Sequence, residues 1–265
     1  MAKKEISFKV FGLAFLLLAT AIVVYPLFLT VQRSLAINGF GNYTAALEKV
    51  NILRNLWNSI MVTGTTLLGT AIICSLGAFA FSKLNFRGRH LFFIFIMMGM
   101  LIPTSATIFP LFRIIRTLGL INNPLSQTLP YITGSSIFGL LLLKIYFDGL
   151  PNAMMESARI DGANSFRIYA KIMLPNAIPG FSILFVNTFM GAWNELQIAI
   201  TFITRRDSMT MAALPIQFAA SPGVSNNPVN ELFAVLIMCM IPVILFYIAA
   251  QKMIIRGMTE GTVKG

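Results

Sequence analysis

One carboxylate, Glu195, sits deep inside an apolar run. An acid at such a position costs about 2.5–3.5 kcal/mol on insertion scales, so it marks a site where a polar partner is expected. Just upstream, Asn187, Gly191 and Asn194 fall at i, i+4 and i+7, which places them on one face of a helix. Amides on that face offer hydrogen bonds to the hydroxyls of a polar solute, and Trp193 offers a ring that can stack on a sugar. The competing reading is packing, in which asparagines tie membrane helices together and Glu195 pairs with a cation of another chain. Both readings stand at the level of sequence.

Two further acids, Glu156 and Asp161, lie in a polar stretch between Asp148 and Gly180. Elsewhere the chemistry is sparse. No Gly-x-x-x-x-Gly-Lys-Ser/Thr pattern occurs, and no Gly-Lys pair exists, so the chain carries no phosphate-binding P-loop. No Ser/His/Asp set or paired carboxylates suggest catalysis. His90 is the single histidine, and Cys74 and Cys239 lie in apolar runs without neighbouring ligands, so no metal site is expected. The expected catalytic and metal residues are therefore none.

The elements that must position these groups are set by composition. Of the 265 residues, 57% are hydrophobic and 11% charged, and the mean hydropathy is +0.79. That is too few charges to cover a water-facing surface; the natural solvent is lipid. Six segments, roughly 10–31, 59–81, 91–112, 131–147, 180–203 and 232–251, are long enough to cross a ~30 Å hydrocarbon layer. The fold expected is an all-α integral membrane protein with six transmembrane helices, one membrane domain over 1–265. The first segment starts after Lys3, Lys4 and Lys9 and contains Ala19-Thr20-Ala21, a pattern of cleaved signals, but its apolar run continues well past that point. We read it as a retained helix.

With the N-terminus inside, thirteen of the 20 basic residues fall on the inner side and seven on the outer. This bias puts both termini in the cytoplasm. The formal charge of +11 is dispersed in short clusters beside apolar runs, a pattern suited to anionic headgroups and not to nucleic acid. Pro103 and Pro110 are expected to bend segment three, and Leu111–Leu120 reads as a short interfacial helix around Arg113 and Arg116.

The inner stretch 148–180 is too polar to span and reads as two short helices. Asn152 is placed as the first N-cap, Gly162 as its end, Asn164 as the second cap and Pro175 as the stop. A structured helix pair between two spans suggests a docking surface. Leu150–Pro175, LPNAMMESARIDGANSFRIYAKIMLP, resembles the EAA loop of ABC importer membrane subunits. Glu156, Ser157, Ala158, Gly162, Ile172, Leu174 and Pro175 stand at that motif's spacing, with Ser157 for the middle alanine. Ala153-Met154 stands where the family often has a Glu-Leu pair. Asn58-Ser59, Ala80-Phe81-Ser82-Lys83, Asn85-Phe86-Arg87-Gly88, Trp193-Asn194-Glu195 and the tail Gly257–Gly265 resemble the carbohydrate branch, in particular its maltose-type second permease.

That resemblance implies a type I permease with its core over about 54–251, a cytoplasmic coupling helix between helices 4 and 5, and a cytoplasmic tail over 252–265. It implies coupling to ATPase subunits through Glu156, Ser157, Ala158, Asp161, Gly162 and Pro175, while the residues themselves make Asn187, Trp193, Asn194 and Glu195 the substrate-path candidates. The implied partners are a second permease, usually a different chain, two ATP-binding subunits and an extracytoplasmic solute-binding protein. ATP and Mg would sit on those partners, and the chain itself would hold no cofactor. The implied place is a bacterial or archaeal cytoplasmic membrane, and the implied cargo a sugar. Two alternatives stay open: a permease for another small polar solute, and an ion-coupled secondary transporter with Glu195 as coupling acid.

Overall fold

The computed structural model describes residues 2–219 and 228–262, with side chains over 11–219 and 228–253. The helices are α1 (Ala2–Ser34), α2 (Gly41–Lys49), α3 (Ile52–Lys83), α4 (Arg89–Met98), α5 (Thr104–Thr117), α6 (Leu125–Asp148) and α7 (Asn152–Ile160). They continue with α8 (Ser165–Ile168), α9 (Leu174–Asn176), α10 (Ile178–Asn194), α11 (Gln197–Phe202), α12 (Leu214–Ala219) and α13 (Pro228–Thr262). No strand occurs among the described residues. In hydrocarbon only a helix or a closed barrel satisfies every backbone polar group within the segment. This chain uses helices.

Four helices are long and apolar enough to span unbroken: α1, α3, α6 and α13. Their cores match expected segments one, two, four and six, but each extends further; α13 runs to Thr262, into the stretch expected to be a tail. Residues 263–265, the end of that tail motif, lie outside the described residues. The other two expected spans are broken, and the count reaches six only if each bent pair is taken as one span.

Segment three was expected as one kinked helix. Instead α4 and α5 meet at 102°. Ile102, forced extended by the proline that follows it, has φ −91 and ψ 113, and Pro103 caps the new helix. Pro110 lies inside α5 without breaking it, so the short helix expected over Leu111–Leu120 is the second half of a longer one. Segment five is also not continuous: α10 stops at Asn194, Glu195 turns extended at ψ 118, and α11 restarts at Gln197. Asn194 bonds back to Met190 O at 2.9 Å along α10, whereas Glu195 takes Ile198 N across the break.

Contacts gather in two compact units. In the first, residues up to Ile52 with Leu214–Ile244, Asn42 Nδ2 donates to Ser34 O and Ala36 O, both at 2.9 Å, and fixes the α1–α2 turn. Lys49 Nζ bridges to Glu231 at 2.6 Å, at the N-terminus of α13 where an acid suits the helix dipole. The second unit, Leu53–Ala213 with the chain after Leu245, holds two apolar clusters. One gathers Cys74, Ala78, Leu140, Leu143, Phe147 and Leu184 from α3, α6 and α10. The other gathers Val62, Ile108, Ile115, Tyr131, Ala192 and Phe202.

Lipid is as apolar as leucine, so these helices gain little from burial as such. Close approach and dispersion hold them, which favours small residues at the crossings. A Cβ on Gly139 would stand 2.6 Å from Leu184 Cδ1 and 2.7 Å from Cys74 Sγ, so this glycine sets the α3–α6–α10 spacing. Gly134, five residues earlier on α6, has open space around it. Gly139→Val is expected to cost about 1–3 kcal/mol by overpacking and lower the melting midpoint of the purified protein. Gly134→Ala should leave it equal or slightly higher, and thermal denaturation in detergent compares the two.

Candidate functional site

The polar stretch after α6 folds as a compact helical hairpin. α7 begins after Pro151, whose missing N–H costs nothing at that position. Asn152 is not the cap that its type suggested. Its Oδ1 accepts from Lys83 Nζ at 2.9 Å instead. The far end of α7 closes as a Schellman motif: Gly162 N donates to Arg159 O at 3.0 Å and Ala163 N to Ala158 O at 2.9 Å. The motif needs a left-handed residue, and Gly162 has φ +78. Asn164 caps α8 as expected, its Oδ1 accepting from Arg167 N at 2.8 Å.

Pro175 does not stop the hairpin's second helix. A π-helical turn over Tyr169–Met173 leads into α9, which contains Pro175, and the break comes at Ala177 with a bend of 75°. The wider turn, with Leu174 N on Tyr169 O, absorbs the donor that proline lacks. Asn176 Nδ2 adds a bond to Ile172 O at 2.7 Å.

The hairpin has one buried side and one bare side. Met155 is buried in the apolar cluster of α3, α6 and α10, with Ala158 and Ala163 packed against it. Behind them Tyr169 lies against Phe79, and its hydroxyl is 2.7 Å from Ser75 Oγ on α3. On the other side Glu156, Ser157, Asp161, Gly162 and Pro175 are all exposed. So are three large apolar side chains, Ile160 at 87%, Phe166 at 70% and Met154 at 39%.

The α10 candidates divide. Asn187, Gly191 and Asn194 are exposed along one face, as their spacing predicted. Trp193 is not with them. It is buried, stacked on Phe189 with ring centroids 5.1 Å apart, so its ring is committed within its own chain. Glu195 is committed too: Tyr131 Oη donates to its Oε2 at 3.0 Å, and Ile198 N donates to both carboxylate oxygens at 2.9 and 3.1 Å. The acid thus caps the first turn of α11 and ties it to α6. A separate cleft of about 590 Å³ between α5 and α6 is walled by Met100, Ile102, Leu111, Leu129 and Ile137, with hydroxyls only from Thr104, Thr107 and Thr133. It is too apolar to replace the water around a sugar.

An exposed helical hairpin on a short polar loop between two spans is the decisive arrangement, and comparison with known proteins agrees. Residues 73–260 match the family described as the inner membrane component of binding-protein-dependent transport systems. The chain belongs to that family. It is 27% identical to the diacetylchitobiose uptake system permease protein NgcG of Streptomyces coelicolor, over 98% of this chain and 91% of that protein. It is 32% identical to the trehalose/maltose transport system permease protein MalG of Thermococcus litoralis, over 79% and 75% of the two chains. The fold matches a chain of a bacterial ABC transporter that imports the acidic polysaccharide alginate, with a TM-score of 0.78 and 22% identity over 93% of this chain and 97% of that one. The protein is a permease subunit, a multi-pass membrane protein.

Sequence reasoning passed over one part of the permease, where α3 and α6 end beside α7. Ser82, Lys83 and Asp148 were landmarks of resemblance or mere boundaries, yet they meet beside α7. Lys83 Nζ donates to Leu150 O at 2.7 Å, and Ser82 Oγ to Asp148 Oδ1 at 2.7 Å. A lysine ending an apolar span reads as an orientation signal, and nothing in its sequence context shows a tertiary bond.

Gly162 offers a clean test of the hairpin. A Cβ there meets nothing within 4 Å, so any penalty comes from the backbone conformation alone. Gly162→Val should strain the turn by about 1–3 kcal/mol and lower transport while leaving membrane insertion intact. Gly162→Asn, which tolerates the left-handed region, should retain most of it. Uptake by the reconstituted transporter, normalised to inserted protein, distinguishes the two.

Proposed function

We propose that this permease is a noncatalytic subunit of an ATP-driven importer for a sugar or oligosaccharide. In this reading it forms the translocation path with a second permease, while two separate subunits bind ATP and Mg and hydrolyse the nucleotide. The observation that carries it is α7: a helix anchored through Met155, Ala158 and Asn152 and exposed on its other side, with carboxylates at Glu156 and Asp161 beside exposed Ile160. A water-facing surface of that kind fits a protein partner with apolar and basic groups. The positive-inside bias supports placing α7 and both termini in the cytoplasm, in a bacterial or archaeal cytoplasmic membrane.

The named cargoes of the relatives, diacetylchitobiose and trehalose or maltose, support a saccharide. So does the exposed α10 face, since Asn187 and Asn194 can replace water around hydroxyl groups. In this arrangement Glu195 holds the end of that face in place from behind, and Trp193 packs it. An ion-coupled transporter acting alone would need a titrating acid free to exchange protons or ions, whereas this acid is bonded to Tyr131 and Ile198.

Reconstitution with both ATPase subunits, the second permease and the binding protein tests the reading. Ile160→Glu should abolish co-purification of the ATPase subunits, and their retention with full transport would overturn the docking role. Asn194→Ala should slow uptake several-fold with assembly unchanged, because an unpaired buried hydroxyl costs about 1–3 kcal/mol. Equal uptake across labelled trehalose, maltose and diacetylchitobiose would remove α10 from the path.

A further inference from the structure

At the inner ends of α3 and α6 several polar side chains converge on the first turn of α7. Lys83 Nζ, on α3, reaches across to Leu150 O at 2.7 Å and Asn152 Oδ1 at 2.9 Å. Asp148, ending α6, accepts from Ser82 of α3 at 2.7 Å through one oxygen and bridges to Lys144 at 2.5 Å through the other. The Lys144 ammonium lies 5.2 Å from the centre of the Phe93 ring, which brings in α4. One polar node therefore links three membrane helices to the hairpin.

α7 has few other attachments. Met155 is its only buried side chain among the described residues, and Ala158 is partly covered. Besides the chain itself, a load applied to α7 leaves it through the apolar contact of Met155 and Ala158 and through the polar contact at Lys83. Dispersion is non-directional, so the Met155 contact resists compression but permits sliding. Two hydrogen bonds from a single ammonium to a backbone carbonyl and an amide oxygen fix direction as well as distance, and bonds with a charged donor are the stronger kind.

We propose that Lys83 is a positioning residue for coupling: it ties the first turn of α7 to the inner end of α3, so that movement imposed on α7 by the ATPase partner reaches the span. Asp148 keeps α3 and α6 in step at the same point. The inference rests on the docking role of α7 argued above. An orientation role alone does not account for Lys83, because Arg87 and Arg89 supply positive charge in the same stretch, and Arg89 bonds to Leu84 O and Asn85 Oδ1 instead of α7. Lysine suits the place, since its ammonium has three donors and the two oxygens lie on different groups.

The test uses the full reconstituted complex and needs no knowledge of the cargo. A cysteine replacing Met61, exposed on α3, is labelled with a maleimide before and after trapping with ATP and vanadate, and ATPase activity is measured alongside. In the parent complex trapping should change the labelling rate. Lys83→Met should keep the ATPase subunits bound and hydrolysing, while the trapping-dependent change shrinks about tenfold, the scale of one charge-assisted hydrogen bond. Asn152→Ala should shrink it less, and the double variant should be no worse than Lys83→Met alone, because both act on one bond. Arg87→Met is the charge control and should match the parent. An unchanged response in Lys83→Met, or no response to trapping in the parent, overturns the proposal while leaving docking intact. Retention of coupled ATPase subunits by Ile160→Glu overturns the docking reading and the proposal with it.

Discussion

In hydrocarbon a peptide N–H or C=O without a partner costs several kcal/mol, and water is not there to relieve it. Each place where this chain leaves the helix must therefore bring its own partner. At the α10–α11 break Glu195 supplies it, taking Ile198 N on its carboxylate. Where the chain leaves α11, Asn122 does the same from the loop before α6: its Oδ1 accepts from Thr204 N at 2.7 Å and Arg205 N at 3.0 Å, while its own N–H donates to Phe202 O. Asn42 closes the α1–α2 turn and Asn176 the exit from the hairpin. Glu195, Asn122, Asn42 and Asn176 are thus repairs to interrupted helices, whereas threonines such as Thr66, Thr117 and Thr133 bond back to carbonyls of their own helices.

The same constraint explains what was legible beforehand. A run of twenty apolar residues has one solution in lipid, so the cores of α1, α3, α6 and α13 followed from composition. Interruptions are harder, because their cost depends on a repairing residue far away in sequence. Pro103 and Pro110 look alike in the chain, but only Pro103 follows a residue that turns extended, and only there does the direction change by 102°. Asn187 and Asn194 were placed correctly by periodicity, since helical spacing is local. Trp193 and Glu195 were assigned to the same surface by chemistry alone. Which way they face depended on Phe189 and Tyr131, and helix period says nothing about such neighbours. Gly162 and Asn164 were legible because turns and caps are local chemistry, whereas Lys83, bonded 67 and 69 residues ahead, was not.

The hairpin connects to the membrane helices through two unlike joints. Met155 enters an apolar cluster, and Lys83 grips a carbonyl and an amide beside it. Deep in the bilayer an arrangement like the second would be costly, because both oxygens and the ammonium would need full compensation. At the end of α3 the ammonium is half-buried, and the two oxygens, with Asp148 nearby, offset its partial desolvation. A second polar joint, Glu195 with Tyr131 and Ile198, lies within an apolar run and is held by three hydrogen bonds.

Outside the bilayer the hydrophobic effect, absent between helices in lipid, returns in full. Ile160, Phe166 and Met154 face water on the hairpin, and covering a side chain of that size is worth about 1.5–3 kcal/mol each. Three together make several kcal/mol of gross attraction, comparable with the ordering and desolvation costs of forming an interface. At a docked interface the exposed carboxylates of Glu156 and Asp161 would add little net energy, but they would choose orientation and reject partners of like charge. If α7 docks as proposed, affinity would rest in the apolar side chains, orientation in the acids and transmission in Lys83 at the end of α3. A substitution that removes one should leave the other two measurable.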